Sequence, residues 1–357
     1  MAAYTTIDDP SAHFKVQLYT GNGTAIASGG NVITFDDTDT DMQPDIVWTK
    51  KRSGADFHAI NDAVRGHSKI IFPDTTGVED TSANCLTSFN SDGFTVGSNS
   101  GFNGSSATYV AWCWKANGSG SSNGNGSISS TVSANTTAGI SIVKWGATGS
   151  NATIGHGLGV APTFLISKNL ETVTNWYVYH GLGMGPTKYM KPNLNVAEFA
   201  DSAGWQDTAP TSSVFSVGTN SSINNSGDDT ITYCFAEKQG FSKFGSYTGN
   251  GNADGPMLFT GMKPALVVVK RSNSTGSWNV FDNKREGFNA DNSNLYWNTN
   301  SAEQTDSDRT NPIDFLSNGF KMRGTDTDVN GSGSTYIYMA FAESPFVNSN
   351  GVPNNAR

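Results

Sequence analysis

The chain has only three cysteines in 357 residues, Cys85, Cys113 and Cys234, with no CxxC spacing. That excludes a disulfide framework and a cysteine zinc site. Cys113 and Cys234 lie in apolar strand-like runs, where a free thiol acts as a small hydrophobe. Charged residues make up only 15% of the chain, and the formal net charge is −9. Nucleic acid and anionic membranes reward a basic face, so neither is the expected main partner. No run of 18 apolar residues is present, so no helical membrane span is expected. The start "MAAYTTIDDPSAHF" has neither a basic nor an apolar leader region. Sustained helical periodicity is also missing; "FHAINDAVRG" (Phe57–Gly66) suits a turn or two of helix at most.

What is abundant is Gly, Asn, Ser, Thr and aromatic residues. Gly and Asn supply the positive φ of tight turns, and Thr and aromatics suit pleated strands. The composition predicts an all-β chain, and internal repetition organises it. "LYTGNG" (Leu18–Gly23) matches "SYTGNG" (Ser246–Gly251), with "VKWGATG" (Val143–Gly149) as a weaker copy. A proline-to-lysine strand recurs as "PDIVWTK" (Pro44–Lys50), "PTFLISK" (Pro162–Lys168) and "PALVVVK" (Pro264–Lys270), followed by Phe57, Trp176 and Trp278. "GFTVG" (Gly93–Gly97), "VFSVG" (Val214–Gly218) and "GFKMRG" (Gly319–Gly324) form the third landmark. The fourth is "YVAWCWKA" (Tyr109–Ala116), "TITYCFAE" (Thr230–Glu237) and "YIYMAFAE" (Tyr336–Glu343). Asn103, Asn224 and Asn330 each precede the last aromatic, Trp114, Phe235 and Phe341, by eleven residues.

Each copy reads as a hairpin turned at the asparagine, because Asn-Gly suits two-residue turns. The aromatic strand is apolar on both alternate faces, so it should be covered on both sides, by its own core and by a neighbouring repeat or subunit. The predicted organisation is repeat 1 over residues 1–117, a flexible Gly/Ser/Asn-rich linker over 118–139, repeat 2 over 140–239, and repeat 3 over 240–357, packed on repeat 2. Each repeat is expected to be an antiparallel β-sandwich of jelly-roll or concanavalin-like type.

Candidate chemistry is sparse. "IGHGLGVAP" (Ile154–Pro162) resembles a phosphate loop, but its glycines precede a strand rather than open a helix, so it reads as a turn with His156 incidental. A second "HGLG" at His180–Gly183 also lacks a following helix. Acidic clusters stand at Asp36–Asp45 and Asp326–Gly331. The second, "DTDVNG", opens like a calcium loop, which makes Asp326, Asp328 and Asn330 candidate Ca²⁺ ligands, though Ile337 stands where the bidentate Glu belongs. Trp176, Trp205, Trp278 and Trp297 are candidate sugar-stacking residues. Glycosidase chemistry needs two facing acids, and only Glu237 and Glu343 recur, so no catalytic residue and no required cofactor is expected. Lys50, Lys168 and Lys270 read as solvated strand ends.

The chain resembles a family of repeat proteins encoded by marine tailed bacteriophages, including those of cyanobacteria. The stretches that carry the resemblance are "TIDDPSAHFKVQLYTGNG" (Thr6–Gly23), "YVAWCWKANG" (Tyr109–Gly118), "HGLGVAPTFLISK" (His156–Lys168), "GFSKFGSYTGNGNADGP" (Gly240–Pro256) and "YIYMAFAESPFVNSNGVPNNAR" (Tyr336–Arg357). The resemblance implies a virion-associated protein with β-sandwich modules and brings no catalytic residues with it. The expected function is a non-enzymatic virion structural protein on the particle exterior, a tail-fibre or appendage-type adhesin or spacer. A capsid decoration protein and a carbohydrate-binding module for host surface glycan are the alternatives. Expected partners are further copies of the chain, as a homo-oligomer or trimer, and other virion proteins. Assembly in the reducing host cytoplasm fits the free cysteines.

Overall fold

The computed structural model describes residues 4–35, 40–290, 293–304 and 312–355. In repeat 1 the sandwich strands are β1 (Phe14–Thr20), β2 (Asn31–Ile33), β3 (Ile46–Lys51), β4 (Ala59–Asp62), β5 (Leu86–Asn90), β6 (Gly93–Val96) and β7 (Thr108–Trp114). Repeat 2 contributes β8 (Ser121–Asn123), β9 (Ser130–Asn135), β10 (Ile140–Gly146), β11 (Ala152–Gly155), β12 (Phe164–Asn169), β13 (Tyr177–His180), β14 (Val214–Val217) and β15 (Asp229–Phe235). Repeat 3 contributes β16 (Ser242–Thr248), β17 (Met257–Phe259), β18 (Met262–Arg271), β19 (Trp278–Asp282), β20 (Leu295–Tyr296), β21 (Ile313–Leu316), β22 (Gly319–Met322) and β23 (Thr335–Pro345).

Each repeat is an antiparallel sandwich of one large and one small sheet. The large sheets run β1-β7-β3-β4, β8-β9-β10-β15-β12-β13 and β16-β23-β18-β19-β20. The small ones run β2-β6-β5, β11-β14 and β17-β22-β21. The repeated aromatic strand, β7, β15 or β23, sits inside its large sheet, and one of its faces packs on the small sheet. Ala111 and Cys113, Cys234, and Tyr338 and Ala340 lie in three separate outer cores.

The other face of all three large sheets meets in one central core. It joins Trp112 and Trp114 of repeat 1, Tyr233 and Phe235 of repeat 2, and Met339 and Phe341 of repeat 3. At its middle the last aromatic of each repeat closes a triangle. Trp114 and Phe341 have ring centroids 5.5 Å apart, Phe235 and Phe341 5.6 Å, and Trp114 and Phe235 6.2 Å. Edge contacts of this kind are worth about 0.5–1.5 kcal/mol each beyond area burial. The doubly apolar strand is thus covered by the other two repeats of the same chain, and the surface that suggested a homotrimer is filled within one molecule. All three repeats share this core, so repeat 1 is as much part of the body as repeats 2 and 3.

Two expectations need correction. Residues 118–139 do not form a free linker: β8 and β9 add two strands to the large sheet of repeat 2, with β9 paired to β10 from Ser130↔Trp145 to Asn135↔Ile140. Its Val132 and Ala134 alternate inward, a period-2 signal that the Gly/Ser/Asn background hides. The turn asparagine does not make a hairpin either. The strands on its two sides lie in opposite sheets, and a one-turn helix links them in repeats 1 and 2, Ser100–Asn103 and Ser221–Asn224.

Candidate functional site

The "GHGLG" stretch makes room for β8 and β9. A Cβ on Gly155 would lie 2.2 Å from Asn123 Oδ1, and one on Gly157 would lie 2.8 Å from Val132 Cγ1. Gly157 also has φ +71, a conformation that favours glycine. Repeats 1 and 3 carry no such insert and no such glycines. His156 is buried; its Nδ1 accepts from Leu158 N (3.2 Å), and its Nε2 meets the Thr211 carbonyl (3.1 Å). Burial lowers its pKa, so it is a satisfied core histidine.

The four tryptophans proposed for sugar stacking, Trp176, Trp205, Trp278 and Trp297, are all buried at 2% exposure or less. Apolar surface outweighed the polar handle, and none presents a face to solvent. Asp326, Asp328 and Asn330 do not converge as metal ligands. Asp326 Oδ1 accepts from Asp328 N (2.7 Å), Asp328 Oδ2 accepts from Ser277 N (3.0 Å), and Asn330 Oδ1 accepts from Asn250 N (2.9 Å). These oxygens are taken up by backbone donors, and no group of three His, Cys, Asp or Glu able to hold a metal occurs among the described residues. Of the first acidic cluster, Asp36, Asp37 and Asp39 lie outside the described residues.

Asn330 belongs to a set of three clamps. Asn103 accepts from Asn22 N (2.8 Å) and donates to Asn22 Oδ1 (3.0 Å). Asn224 accepts from Thr148 N (2.9 Å) and donates to Ser150 O (2.7 Å) and Gly218 O (2.6 Å). Asn330 donates to Asn252 O (2.8 Å) and Gly324 O (2.8 Å). All three are fully buried; Asn224 and Asn330 tie the first landmark to the third, and Asn103 ties its one-turn helix to the first. Constant spacing was legible; its cause is this clamp rather than a turn.

The most elaborate polar construction lies where the repeats meet. Lys50, Lys168 and Lys270 are buried, not solvated. Lys168 Nζ of repeat 2 donates to Thr76 O of repeat 1 (3.4 Å) and to its own Thr174 O (3.2 Å). Lys50 of repeat 1 donates to Asn300 O of repeat 3 (3.4 Å) and to Lys51 O (2.9 Å), and Lys270 to Arg271 O. Desolvation pulls all three pKa values down to about 8. Backbone rungs close each junction in the same sense: Thr174 N to Thr76 O (3.1 Å), Gly276 N to Asn195 O (2.8 Å) and Asp56 N to Asn300 O (2.8 Å). A second rung donates from Glu79 N to Leu170 O, Glu198 N to Ser272 O and Glu303 N to Arg52 O. Repeat 1 thus holds repeat 2, repeat 2 holds repeat 3, and repeat 3 holds repeat 1. The segments involved, "DTTGVE" (Asp74–Glu79), "NLNVAE" (Asn193–Glu198) and "NTNSAE" (Asn298–Glu303), are a further repeated landmark. It was readable in the sequence from its terminal Glu, with a central Asn shared by repeats 2 and 3 only.

A buried acid follows the same cycle. Asp62 of repeat 1 bonds Arg65 Nε (2.5 Å) and accepts from Tyr233 OH of repeat 2 (2.7 Å). Asp282 of repeat 3 bonds Arg285 Nε (2.6 Å) and accepts from Trp112 Nε1 of repeat 1 (3.1 Å). The third position faces Met339, which has no donor, and there His180 replaces the acid. Its Nε2 meets Tyr338 O (3.1 Å), and burial pushes its pKa down to about 4. Gly183 stands where the arginine would be, because a Cβ there would lie 2.4 Å from Ile337 Cγ2. The second "HGLG" is therefore the junction between repeats 2 and 3.

Open concavities are shallow. One of about 240 Å³ lies between Ser129–Thr131 and Lys144–Gly146, with the Lys144–Asp229 ion pair (2.6 Å) at its side. Its one aromatic, Trp145, is buried. Glu237 and Glu343 are ion-paired to Lys243 (2.5 Å) and Lys263 (2.9 Å).

No curated protein matches the chain. The chain belongs to the family described as a domain of unknown function, DUF7483, whose model matches residues 9–345 and so spans all three repeats as one domain.

Proposed function

We propose that this protein is a non-enzymatic structural component of a bacteriophage virion exterior, an appendage-type spacer or adhesin. The observation that carries the reading is the cyclic closure of three sandwiches around one core. Buried Asp62, Asp282, His180, Lys50 and Lys168 are spent on joining the repeats rather than lining a cleft. Low charge and doubly covered strands favour a body that resists proteases and mechanical load. The three buried free cysteines agree with assembly in a reducing compartment. Immunogold labelling of intact virions tests the proposal. Label along the tail appendages is expected, head-wide label assigns the protein to capsid decoration instead, and unlabelled particles refute both.

The carbohydrate-binding alternative loses its four tryptophans. What supports it still is the polar groove beside Lys144 and Asp229, which offers hydroxyls but no exposed ring. A glycan array with and without chelator decides it, and no binding in either condition removes it. Release of reducing ends from host surface polysaccharide would overturn the non-enzymatic reading.

A further inference from the structure

We infer that the enclosed void in the central core is a dry binding site for a single small apolar molecule, of the size of a noble-gas atom or dioxygen. The void measures about 20 Å³, counted as room for the centre of a water-sized sphere, and one such sphere needs about 10–15 Å³. Its wall draws on all three repeats: Trp48 and Trp114 of repeat 1, Ile166 and Phe235 of repeat 2, and Trp297 and Met339 of repeat 3. None of these six is more than 5% exposed, so the void is sealed from solvent. It stays open because equivalent places in the three large sheets are unequally filled. Trp48 pairs with Trp112, Ile166 with Tyr233 and Val268 with Met339. Side chains of three different sizes do not close a three-fold centre, and close-packed walls relax only partly around a gap. The Trp48 and Trp297 rings, 4.7 Å apart between centroids, hold one side rigid.

The chemistry of the wall selects the occupant. A buried water needs two to four polar partners. Among the described residues, no polar atom opens onto the void. Trp48 Nε1 donates to His58 Nδ1 (3.0 Å), and the hydroxyl of Tyr233, whose ring also lines the void, donates to Asp62 (2.7 Å). Trp114 and Trp297 Nε1 have no hydrogen-bond partner among the described residues, but both lie within the packing rather than on the wall. A water there would forfeit its hydrogen bonds. An apolar particle instead restores the dispersion contacts that the wall atoms lack on that side. Met339, with its unbranched thioether, is the part of the wall that adjusts to the occupant. Entry requires a brief local opening between repeats. The inference does not depend on the virion reading.

Xenon is the probe, dissolved under pressure with the full-length protein and followed by methyl NMR. The Met339 and Ile166 methyl signals should shift and saturate as xenon rises, while Met322, in the outer core of repeat 3, stays still. Met339→Phe places a ring where repeats 1 and 2 carry Trp112 and Tyr233, so it should fill the void and abolish the Ile166 shift. Ile166→Ala is the second variant, for the case that the ring is not accommodated. It enlarges the void and keeps the Met339 methyl as reporter, which should then saturate at a lower xenon pressure. No saturating shift in the wild type overturns the inference, and so does an Ile166 shift that survives in folded Met339→Phe. A nuclear Overhauser contact from a bound water to the Met339 methyl would place water in the void and refute the dry site.

Discussion

Replacing Lys168 with Met should stabilise the protein near neutral pH, and the gain should vanish in mild alkali. Lys168 is fully buried, its pKa falls to about 8, and desolvation alone is the cause, with no carboxylate to offset it. An ammonium that titrates near 8 rather than 10.5 is disfavoured in the folded state by about 3 kcal/mol. Methionine keeps the apolar stem and gives up two long hydrogen bonds, to Thr76 O (3.4 Å) and Thr174 O (3.2 Å). Thr76 O keeps the Thr174 N–H (3.1 Å), so one carbonyl is left without a partner, a loss of about 1–2 kcal/mol. The net gain at about pH 7 is about 1–2 kcal/mol. Because the folded pKa is the lower one, the unfolded chain binds more protons between about 8 and 10.5, and lysine-dependent stability rises with pH there. Below about 8 the cost is fully present. Cys113 and Cys234, whose thiols burial pushes up, oppose this trend above about 9. The useful quantity is therefore the difference between Lys168→Met and wild type, from urea midpoints between about pH 7 and 10. It should shrink by about 1.4 kcal/mol per pH unit once above 8. A variant less stable than wild type at neutral pH, with a difference that does not change with pH, would falsify the reasoning.

Three further outcomes follow from the junctions and clamps. Tyr233→Phe removes the 2.7 Å bond to the buried Asp62 and should lower stability by about 1.5–3 kcal/mol, read as a shifted urea midpoint with an unchanged slope; a loss under about 0.5 kcal/mol counts against the cyclic acid contacts. Asp74 is pushed up to about 7, mainly by burial, while the equivalent positions in the other repeats are Asn193 and Asn298, which accept from Trp176 N and Trp278 N. Stability tied to its protonated form is present below about 4 and lost as pH rises toward 7, so Asp74→Asn should stabilise by about 1–3 kcal/mol at pH 8 and be neutral at acid pH. Asn330→Asp replaces a buried amide donor with a carboxylate oxygen facing two carbonyls and should cost about 3 kcal/mol or more with or without calcium; rescue by millimolar calcium would restore the metal reading.

The sequence by itself determined what is local or repeated. Alternation and turn residues fixed an all-β chain, and the eleven-residue spacing from Asn103, Asn224 and Asn330 to the last aromatic marked three copies. The doubly apolar aromatic strands required cover on both faces, and they have it. Which partner gives that cover was a tertiary decision: the faces of Trp114, Phe235 and Phe341 meet one another rather than another subunit. Only the folded chain revealed that Trp176, Trp205, Trp278 and Trp297 are core residues, because stacking and packing draw on the same rings. The counterpart of Trp176 and Trp278 in repeat 1 proved to be His58, directly before β4, while neighbouring Phe57 stays exposed. The buried lysines looked like solvated ends because a strand's last residue is exposed only when no neighbour lies beyond it, and here the next repeat does. The glycines of "IGHGLG" were read correctly as backbone punctuation, but their purpose needed the third dimension. They leave space for a segment that composition alone marked as a linker, and such crowding between strands distant in sequence has no local signature.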